Sequence, residues 1–448
     1  TLDRAAGEVR LRVSTFAGYA ALGDAFAARA LPAAEPSDAI RALADRLTVG
    51  LSSRHAQAAR LYAYVAARIR YVGIQYGTGR VVPDDAAAIA RRGYGDCKDH
   101  VAPLQALLAA KGIFSEPALI GTKARYALAQ PPTLAPLDHV LIFIPEFDAY
   151  LDPTSPYAAF GVLPFEDYDK PVVLAGAGGA RLDRTPPLLP GAATAETRTE
   201  ARITADGSVI GRTVTTARGP AAVTLREVAA GIEEDGGDST AADDLRRLGT
   251  PGRGDFDFAS PRDPDGAASG YAVGAQFRLR RDTADTAGGR FAVPAGLPVL
   301  LRGGAFLISA KPVRGGRHLC YAGRETEAIH LLLPPGAAIG HLPHDVLAAA
   351  GIARYRAHYA AAAGAIAIER HFVLAAMHQL CTHAEYDAIR PVLRAMQRDL
   401  DARMSLRPVP AIAEAAPVAP AATGRCVGGN AACRLAAGDV VGGPQALP

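Results

Sequence analysis

The 448-residue sequence has no tryptophan and only five cysteines, at positions 97, 320, 381, 426 and 433. A small and odd number of cysteines predicts that disulfides are not the main support of the fold. Cys426 and Cys433 could close a small loop, or these thiols could be unpaired. The sequence also lacks a Cys-x-x-Cys pair and a His-Glu-x-x-His motif. We therefore predict no metal site and no cofactor.

Strong charge and long apolar runs are also absent. The formal net charge is only +3, which argues against nucleic acid or a membrane surface as the partner. No apolar run reaches the roughly 18 residues that a membrane-spanning helix needs. The nearest run, residues 359–368, ends at Glu369. Because the chain begins at Thr1 without a charged and then apolar leader, we expect a fragment or a processed product.

One stretch, residues 93–100, has the features that a nucleophilic thiol requires, and it reads GYGDCKDH. Apolar residues recur at helical spacing after it, which predicts a helix that starts near Cys97. Asp96 is the predicted N-cap, so Cys97 falls in the first turn, where the helix dipole stabilises a thiolate. Gly93 and Gly95 allow a sharp turn that leaves the sulfur open. The alternative is that Cys97 is a small buried hydrophobe, as many cysteines are.

A thiolate nucleophile also needs a base and a group that orients the base, and the downstream sequence supplies both. Residues 138–144 read DHVLIFI, which predicts a buried strand that opens with His139. A turn and a short second strand follow, so a hairpin can bring Asp152 beside His139. Asp138 is adjacent to His139 but should face away, because successive side chains of a strand point to opposite faces.

Four blocks of the sequence occur in an order that supports a family resemblance. They are Arg70-Tyr71-Val72-Gly73-Ile74, Tyr94-Gly95-Asp96-Cys97-Lys98-Asp99, Asp138-His139-Val140 and Leu151-Asp152-Pro153-Thr154. Together they resemble the signature blocks of bacterial transglutaminase-like domain proteins, over residues 14–163. The resemblance implies that Cys97 is the nucleophile, His139 the base and Asp152 the orienting acid.

The sequence departs from the family pattern at two positions outside that set. His100 stands where such proteins often have lysine, and Tyr150 where they often have tryptophan. His100 is a second candidate base, but its position on the helix should turn it away from Cys97. The oxyanion hole is predicted to use the backbone N–H of Cys97. Gln75 or Tyr76 is the candidate second donor, although either could equally be a packing residue.

The resemblance implies an α+β fold, with a papain-like/transglutaminase-like core of helices packed on an antiparallel sheet, followed by a β-rich domain. We predict the catalytic core in residues 1–185, a Pro-rich linker in 186–195, a β-rich domain ending in a helix in 196–404 and a disordered tail in 405–448.

Several individual elements are also predicted. They are strands at residues 8–13 and 304–310, a helix at 83–92, and a helix after Thr382 that Pro391 kinks or delays. His371, His378 and His383 lie around that last helix. Their loose spacing favours solvent or packing roles over a metal site.

Two functional hypotheses follow. The first is a cysteine-dependent peptidase, amidase or acyltransferase that acts on an amide bond of a peptide or protein substrate. The second is a catalytically silent binding scaffold that keeps the fold. The resemblance favours the enzyme and suggests a periplasmic or cell-envelope location, with the cytoplasm left open. Substrate, acyl acceptor and oligomeric state stay open at this point.

Overall fold

The computed structural model describes residues 13–73, 81–122, 125–262, 270–280, 290–293, 297, 318–362 and 364–407. Several predicted features lie outside these ranges: nearly all of strand 8–13, Gln75, Tyr76, strand 304–310, and Cys426 and Cys433 in the predicted tail. The fold is α+β, as the sequence predicts. In the described part of the chain, no helix combines the length and apolarity that crossing a membrane would require.

The first half packs helices against one face of a sheet. Its described elements are α1 (Tyr19–Ala30), α2 (Asp38–Leu47), α3 (Arg54–Arg68), β1 (Arg70–Tyr71), α4 (Ala86–Arg92), β2 (Tyr94–Gly95), α5 (Cys97–Ala110), β3 (Glu116–Ile120), β4 (His139–Ile144), β5 (Ala149–Leu151), β6 (Pro171–Leu174) and β7 (Arg181–Arg184). Helix α4 starts later than predicted, because the Asp85 carboxylate accepts a hydrogen bond from Ala88 N at 2.9 Å and caps the helix there.

The sheet of the first half has the strand order β5-β4-β3-β6-β7, and all of its pairs are antiparallel. Every residue of β4 is buried. Val140 and Ile142 pack in the helical core of the first half. Leu141 and Phe143 pack in a core that continues into the second half. This burial on two faces explains why β4 reads as a continuous apolar run and not as an alternating one.

The second half is built on a long sheet. Its described elements are β8 (Thr194–Ile203), β9 (Val209–Arg218), α6 (Pro220–Asp235), α7 (Gly237–Arg247), β10 (Gly252–Phe258), β11 (Tyr271–Leu279), β12 (Arg290–Ala292), β13 (His318–Leu319), β14 (Gly323–Leu332), β15 (Ala338–His341), β16 (Val346–Ala350), β17 (Ala353–Ala362), β18 (Ala365–Leu374), β19 (Leu380–Cys381), α8 (His383–Leu400) and β20 (Arg403–Arg407). The order β10-β11-β9-β8-β14-β18-β17-β16 is antiparallel except where β8 meets β14.

Helix α8 begins where the capping box predicts. Thr382 Oγ1 accepts from Glu385 N at 3.2 Å, and the Glu385 carboxylate accepts from Thr382 N at 2.7 Å. Pro391 lies inside the helix and does not delay its start, since the capping box secures the first turn eight positions earlier. Residues 403–407 then form β20, so the tail predicted from residue 405 begins too early.

The segment predicted as a linker is packed against the core. Leu188 and Ala193 are almost fully buried in the core that continues from β4 into the long sheet. Pro186 O also accepts a hydrogen bond from Asp169 N at 2.9 Å. The predicted boundaries at 185 and 196 therefore coincide with a change in composition, and separate folding of the two sides stays a prediction.

A disulfide joins Cys320 and Cys381, which lie 61 positions apart in the sequence, with the adjacent short strands β13 and β19 paired beside it. The sequence analysis did not predict this pair, because cysteine pairing requires Cα atoms within about 7 Å, and no local motif encodes that distance. Cys97 is the free cysteine of the described residues.

Candidate active site

The turn before Cys97 is held by a short pair of parallel strands. Gly93 ends α4 in the left-handed conformation, with φ of 70°. Its carbonyl accepts a hydrogen bond from Arg70 N at 2.9 Å, and Gly95 O accepts from Val72 N at 2.8 Å. The positive φ explains the glycine at position 93. Strands β1 and β2 thus fix the direction from which the chain enters α5.

Gly95 is required for a different reason. A Cβ atom at this position would overlap the side chain of Asp99. Asp99 is buried and accepts hydrogen bonds from Asp84 N at 3.2 Å and from Arg92 Nη2 at 2.8 Å. Burial is the largest influence on Asp99 and raises the pKa of its carboxyl, against the lowering effect of these partners. The contacts tie the turn to α4 and so position Cys97.

Cys97 is the first residue of α5 and is half-buried. Asp96 occupies the N-cap position with extended backbone, as predicted, but its side chain makes no capping hydrogen bond. The carboxylate is instead paired with Lys98. The N–H groups of the first turn are therefore not capped by Asp96, and a helix N-terminus presents them to anionic groups.

His139 opens β4, and Asp152 follows β5 on the neighbouring strand. His139 Nε2 lies 3.1 Å from Asp152 Oδ2, and both residues are buried. The second carboxylate oxygen of Asp152 accepts from Thr154 N at 2.8 Å and from Thr154 Oγ1 at 2.7 Å. Cys97 lines the same cavity as His139 and lies close enough to influence the pKa of its ring. Because Asp152 occupies Nε2, the ring nitrogen left for the sulfur is Nδ1.

The charges at this cluster favour an imidazolium. Burial acts to lower the pKa of His139, but the charge and hydrogen bond of Asp152, together with Cys97, raise it well above its ordinary value. Burial acts to raise the pKa of Asp152, yet His139 and the Thr154 hydrogen bonds lower it. Both directions describe the same state, in which Asp152 is ionised and His139 is protonated.

A second buried carboxyl, Asp167, lies near Asp152 and was not identified from the sequence. Burial and the neighbouring charge of Asp152 raise its pKa to about 7. Near neutral pH, Asp167 therefore holds its proton for part of the time, and Asp152 keeps its charge for His139. No local motif marks Asp167, because only the fold places it beside Asp152.

His100 points away from the cluster. Its ring is almost fully buried, with Nδ1 2.8 Å from Asp96 O and Nε2 2.8 Å from Ile69 O. Both ring nitrogens thus face backbone carbonyl groups, and the ring ties α5 to the end of α3. Asp138 is also engaged elsewhere, because its carboxylate accepts from Thr122 N at 2.8 Å and is paired with Arg125.

A cavity of about 410 Å³ opens beside Cys97 and His139. Its polar lining includes the Asp96–Lys98 pair and Asp138. Its apolar lining comes from Phe26, Val81, Leu119, Leu134, Leu137 and Val140. These lining side chains could not be identified from the sequence, because they come from helix, strand and loop segments far apart along the chain.

Other predicted positions are accounted for as follows. Gln75 and Tyr76 lie outside the described residues, so the second oxyanion donor stays a prediction. His378 lies beside the carboxylate of Asp169, and His383 lies beside the carboxylate of Asp387. Among the described residues, no three His, Cys, Asp or Glu side chains are grouped so that they could hold a metal ion.

Comparisons with known proteins add a likeness of fold. No protein-family profile and no curated protein matches this sequence. A solved structure, described as a "putative protease" from Parabacteroides distasonis, superimposes with a TM-score of 0.53 at 14% sequence identity. The match covers 87% of this chain and 59% of that one, so the chain spans a little over half the length of its structural neighbour. At this identity, the likeness is one of fold.

Proposed function

We propose that this chain is a transglutaminase-like cysteine enzyme that forms an acyl-enzyme with amide or peptide substrates. The observation that carries the proposal is that Cys97 and His139 line one cavity, while Asp152 contacts the ring of His139 from the buried side. A base held by a buried carboxylate and facing the same cavity as a thiol at a helix N-terminus is the arrangement that cysteine nucleophiles require. The fold it shares with a protein described as a protease agrees with this proposal.

In the proposed reaction, the Cys97 thiolate attacks the scissile carbonyl carbon, and the carbonyl electron pair moves onto oxygen. The N–H of Cys97 donates to the oxyanion. His139, as the imidazolium, gives its proton to the leaving amine as the C–N bond breaks, which leaves a thioester on Cys97. Neutral His139 then takes a proton from water or from an amine, which attacks the thioester and releases the thiolate. Water yields hydrolysis, and an amine yields acyl transfer.

Asp152 has two roles in this scheme. It holds the imidazole by Nε2, so that Nδ1 faces the sulfur, and its charge stabilises the imidazolium. The Thr154 hydrogen bonds fix the carboxylate in turn. Because the three side chains come from the start of α5, the start of β4 and the residue after β5, the packing of the sheet against the helices sets their geometry.

The test is direct detection of the acyl-enzyme. Wild-type protein, Cys97→Ala and Asp138→Asn are treated with p-nitrophenyl acetate, quenched in acid and mapped by mass spectrometry. We expect acetyl-Cys97 in the wild type and in Asp138→Asn, and no acetyl group at position 97 in Cys97→Ala. Adding methylamine then measures how the acyl group divides between water and an amine. A folded wild-type protein without acetyl-Cys97 would support the scaffold hypothesis instead.

We also propose that the protein works in an oxidising compartment, such as the bacterial periplasm or cell envelope. The Cys320–Cys381 disulfide supports this location, because such bonds persist mainly outside the reducing cytosol. Measuring the thiol state of Cys320 and Cys381 in rapidly acid-quenched cells tests it. A reduced pair in the cell would favour the cytoplasm.

A further inference from the structure

Asp96 lines the cavity beside Cys97 and carries a buried carboxylate oxygen that has no hydrogen-bond partner among the described residues. Asp96 is only 6% exposed, and its Oδ1 atom has no hydrogen-bond partner among the described residues. The other oxygen, Oδ2, is paired with the ammonium group of Lys98, which is also buried. A buried carboxylate oxygen without a donor costs free energy, so this oxygen is suited to a donor that arrives with a ligand.

The charge balance around Asp96 indicates which kind of donor fits. Lys98 neutralises Asp96, and Arg125 is paired with Asp138 at the same cavity. The polar lining therefore presents an acceptor atom with little net charge. A neutral amide N–H meets that requirement, whereas a ligand ammonium group or carboxylate would lose its hydration without a counter-charge.

The remainder of the cavity is apolar apart from Tyr71, which is half exposed. Phe26, Leu119, Leu137 and Val140 are buried in its wall, and Val81 and Leu134 are half-buried at it. A volume of about 410 Å³ lies within the range of roughly 300–1,000 Å³ that is typical of ligand sites. Such a wall favours an aliphatic or aromatic side chain over the side-chain amide of glutamine, whose burial costs free energy unless all of its polar atoms find partners.

We infer that the cleft selects peptides with an apolar side chain next to the scissile amide, and that Asp96 Oδ1 accepts a hydrogen bond from a backbone N–H of the peptide. The inference rests on the proposed function of Cys97 and narrows its substrates. We therefore expect poorer binding of acidic peptides, basic peptides and protein glutamine side chains.

The experiment measures protection of Cys97 in the full chain. Iodoacetamide alkylation of Cys97 is followed by residue-resolved mass spectrometry in the presence of acetyl-Ala-Xaa-Ala-Xaa-amide, where Xaa is Leu, Gln, Glu or Lys. The alternating design places Xaa near the thiol whichever side of the scissile bond the cavity serves. We expect the Leu peptide to protect at least about tenfold more effectively than the other three. Cleavage of the Leu peptide alone would support the same conclusion.

Two further comparisons test the wall and the acceptor separately. Leu134→Ser should weaken protection by the Leu peptide about tenfold, while Leu182→Ser, the same change at an exposed leucine outside the cavity, should leave it unchanged. Methylating every backbone nitrogen of the Leu peptide removes the donors. The methylated peptide should protect Cys97 of the wild type less well than the unmethylated peptide does. In Asp96→Ala, the two peptides should protect Cys97 equally.

The outcomes distinguish this inference from the proposed function. Rapid alkylation of Cys97 with equal or no protection by the four peptides would overturn the inference and leave the enzyme proposal standing. Alkylation at the rate of an ordinary thiol without any peptide would overturn the enzyme proposal itself. A difference between methylated and unmethylated peptides that persists in Asp96→Ala would exclude Asp96 as the acceptor.

Discussion

His139 Nε2 lies 3.1 Å from Asp152 Oδ2, although the two residues are 13 positions apart in the sequence. The β4–β5 hairpin creates this contact, while the adjacent residue Asp138 binds Thr122 and Arg125 on the loop before β4. In the proposed mechanism, this contact gives Asp152 the task of orienting the imidazole and keeping it charged.

Replacing Asp152 by Asn should lower kcat by about 10²- to 10⁴-fold, because it removes the charge that raises the pKa of His139 and, with the amide oxygen held by Thr154, turns an NH2 donor toward His139 Nε2. With that charge gone, the pKa of His139 falls, so the alkaline limb of the pH–rate profile should move to lower pH. Asp138→Asn, which removes the adjacent carboxylate that does not contact His139, should change kcat by less than about threefold, and any effect of losing the Arg125 pair at the cavity should appear in KM. Equal losses in both variants would contradict the assignment.

Gly95→Ala should destabilise the protein by roughly 1–3 kcal/mol, because the new Cβ overlaps Asp99 and displaces the turn that carries Cys97. Gly231→Ala, in the interior of α6 with open space around it, should be neutral or stabilising by up to about 1 kcal/mol. Urea denaturation measures both free energies of unfolding. Comparable stability of the two variants would show that Gly95 is not sterically required.

His100 and His139 should respond differently to substitution. His100→Gln should cost roughly 1–3 kcal/mol of stability, because it removes a buried ring whose two nitrogens lie 2.8 Å from the carbonyl oxygens of Asp96 and Ile69. The folded fraction should still alkylate rapidly at Cys97. His139→Gln should reduce alkylation to the rate of an ordinary thiol. If the effects on alkylation were reversed, His100 would be the base.

Glu325 should make stability fall with rising pH. Burial, reinforced by the charge of Glu327, raises the pKa of Glu325 from 4.5 to about 8. Between these values the folded protein keeps a proton that the unfolded chain has lost, so the free energy of unfolding decreases as pH rises. In Glu325→Gln, the free energy of unfolding should fall less over this pH range than in the wild type, by on the order of 2 kcal/mol. Glu369→Gln, at an exposed position on the neighbouring strand, should not.

Much of the site could be predicted because its signals are local. The turn and helix start at Cys97 follow from glycines and helical spacing, and the apolar run after His139 marks a buried strand. Contacts across the fold could not be predicted in the same way. The Cys320–Cys381 bond, the proximity of Asp167 to Asp152 and the packing of Leu188 on the core depend on distances that only the folded chain defines.

The side chain of Asp96 illustrates the same limit within the motif itself. The sequence correctly marks it as the residue before the helix, and an N-cap aspartate usually accepts from the first helical turn. Here a buried lysine two positions later offers a stronger, charged partner, so the carboxylate turns to Lys98 instead. Helix-capping propensity predicts the position of Asp96, whereas the buried ion pair with Lys98 determines where its carboxylate points.

The pH dependence of Cys97 alkylation tests the central claim most directly. Wild-type and His139→Gln proteins are treated with iodoacetamide between about pH 4 and pH 9, and the rate at Cys97 is read by mass spectrometry. We predict rapid alkylation of the wild type at mildly acidic pH, because the raised pKa of His139 keeps the imidazolium beside the nucleophile. In His139→Gln, the rate should rise only as pH approaches the range of a free thiol, near about 8.5. A wild-type profile that coincides with that of His139→Gln would contradict the proposed nucleophile and base.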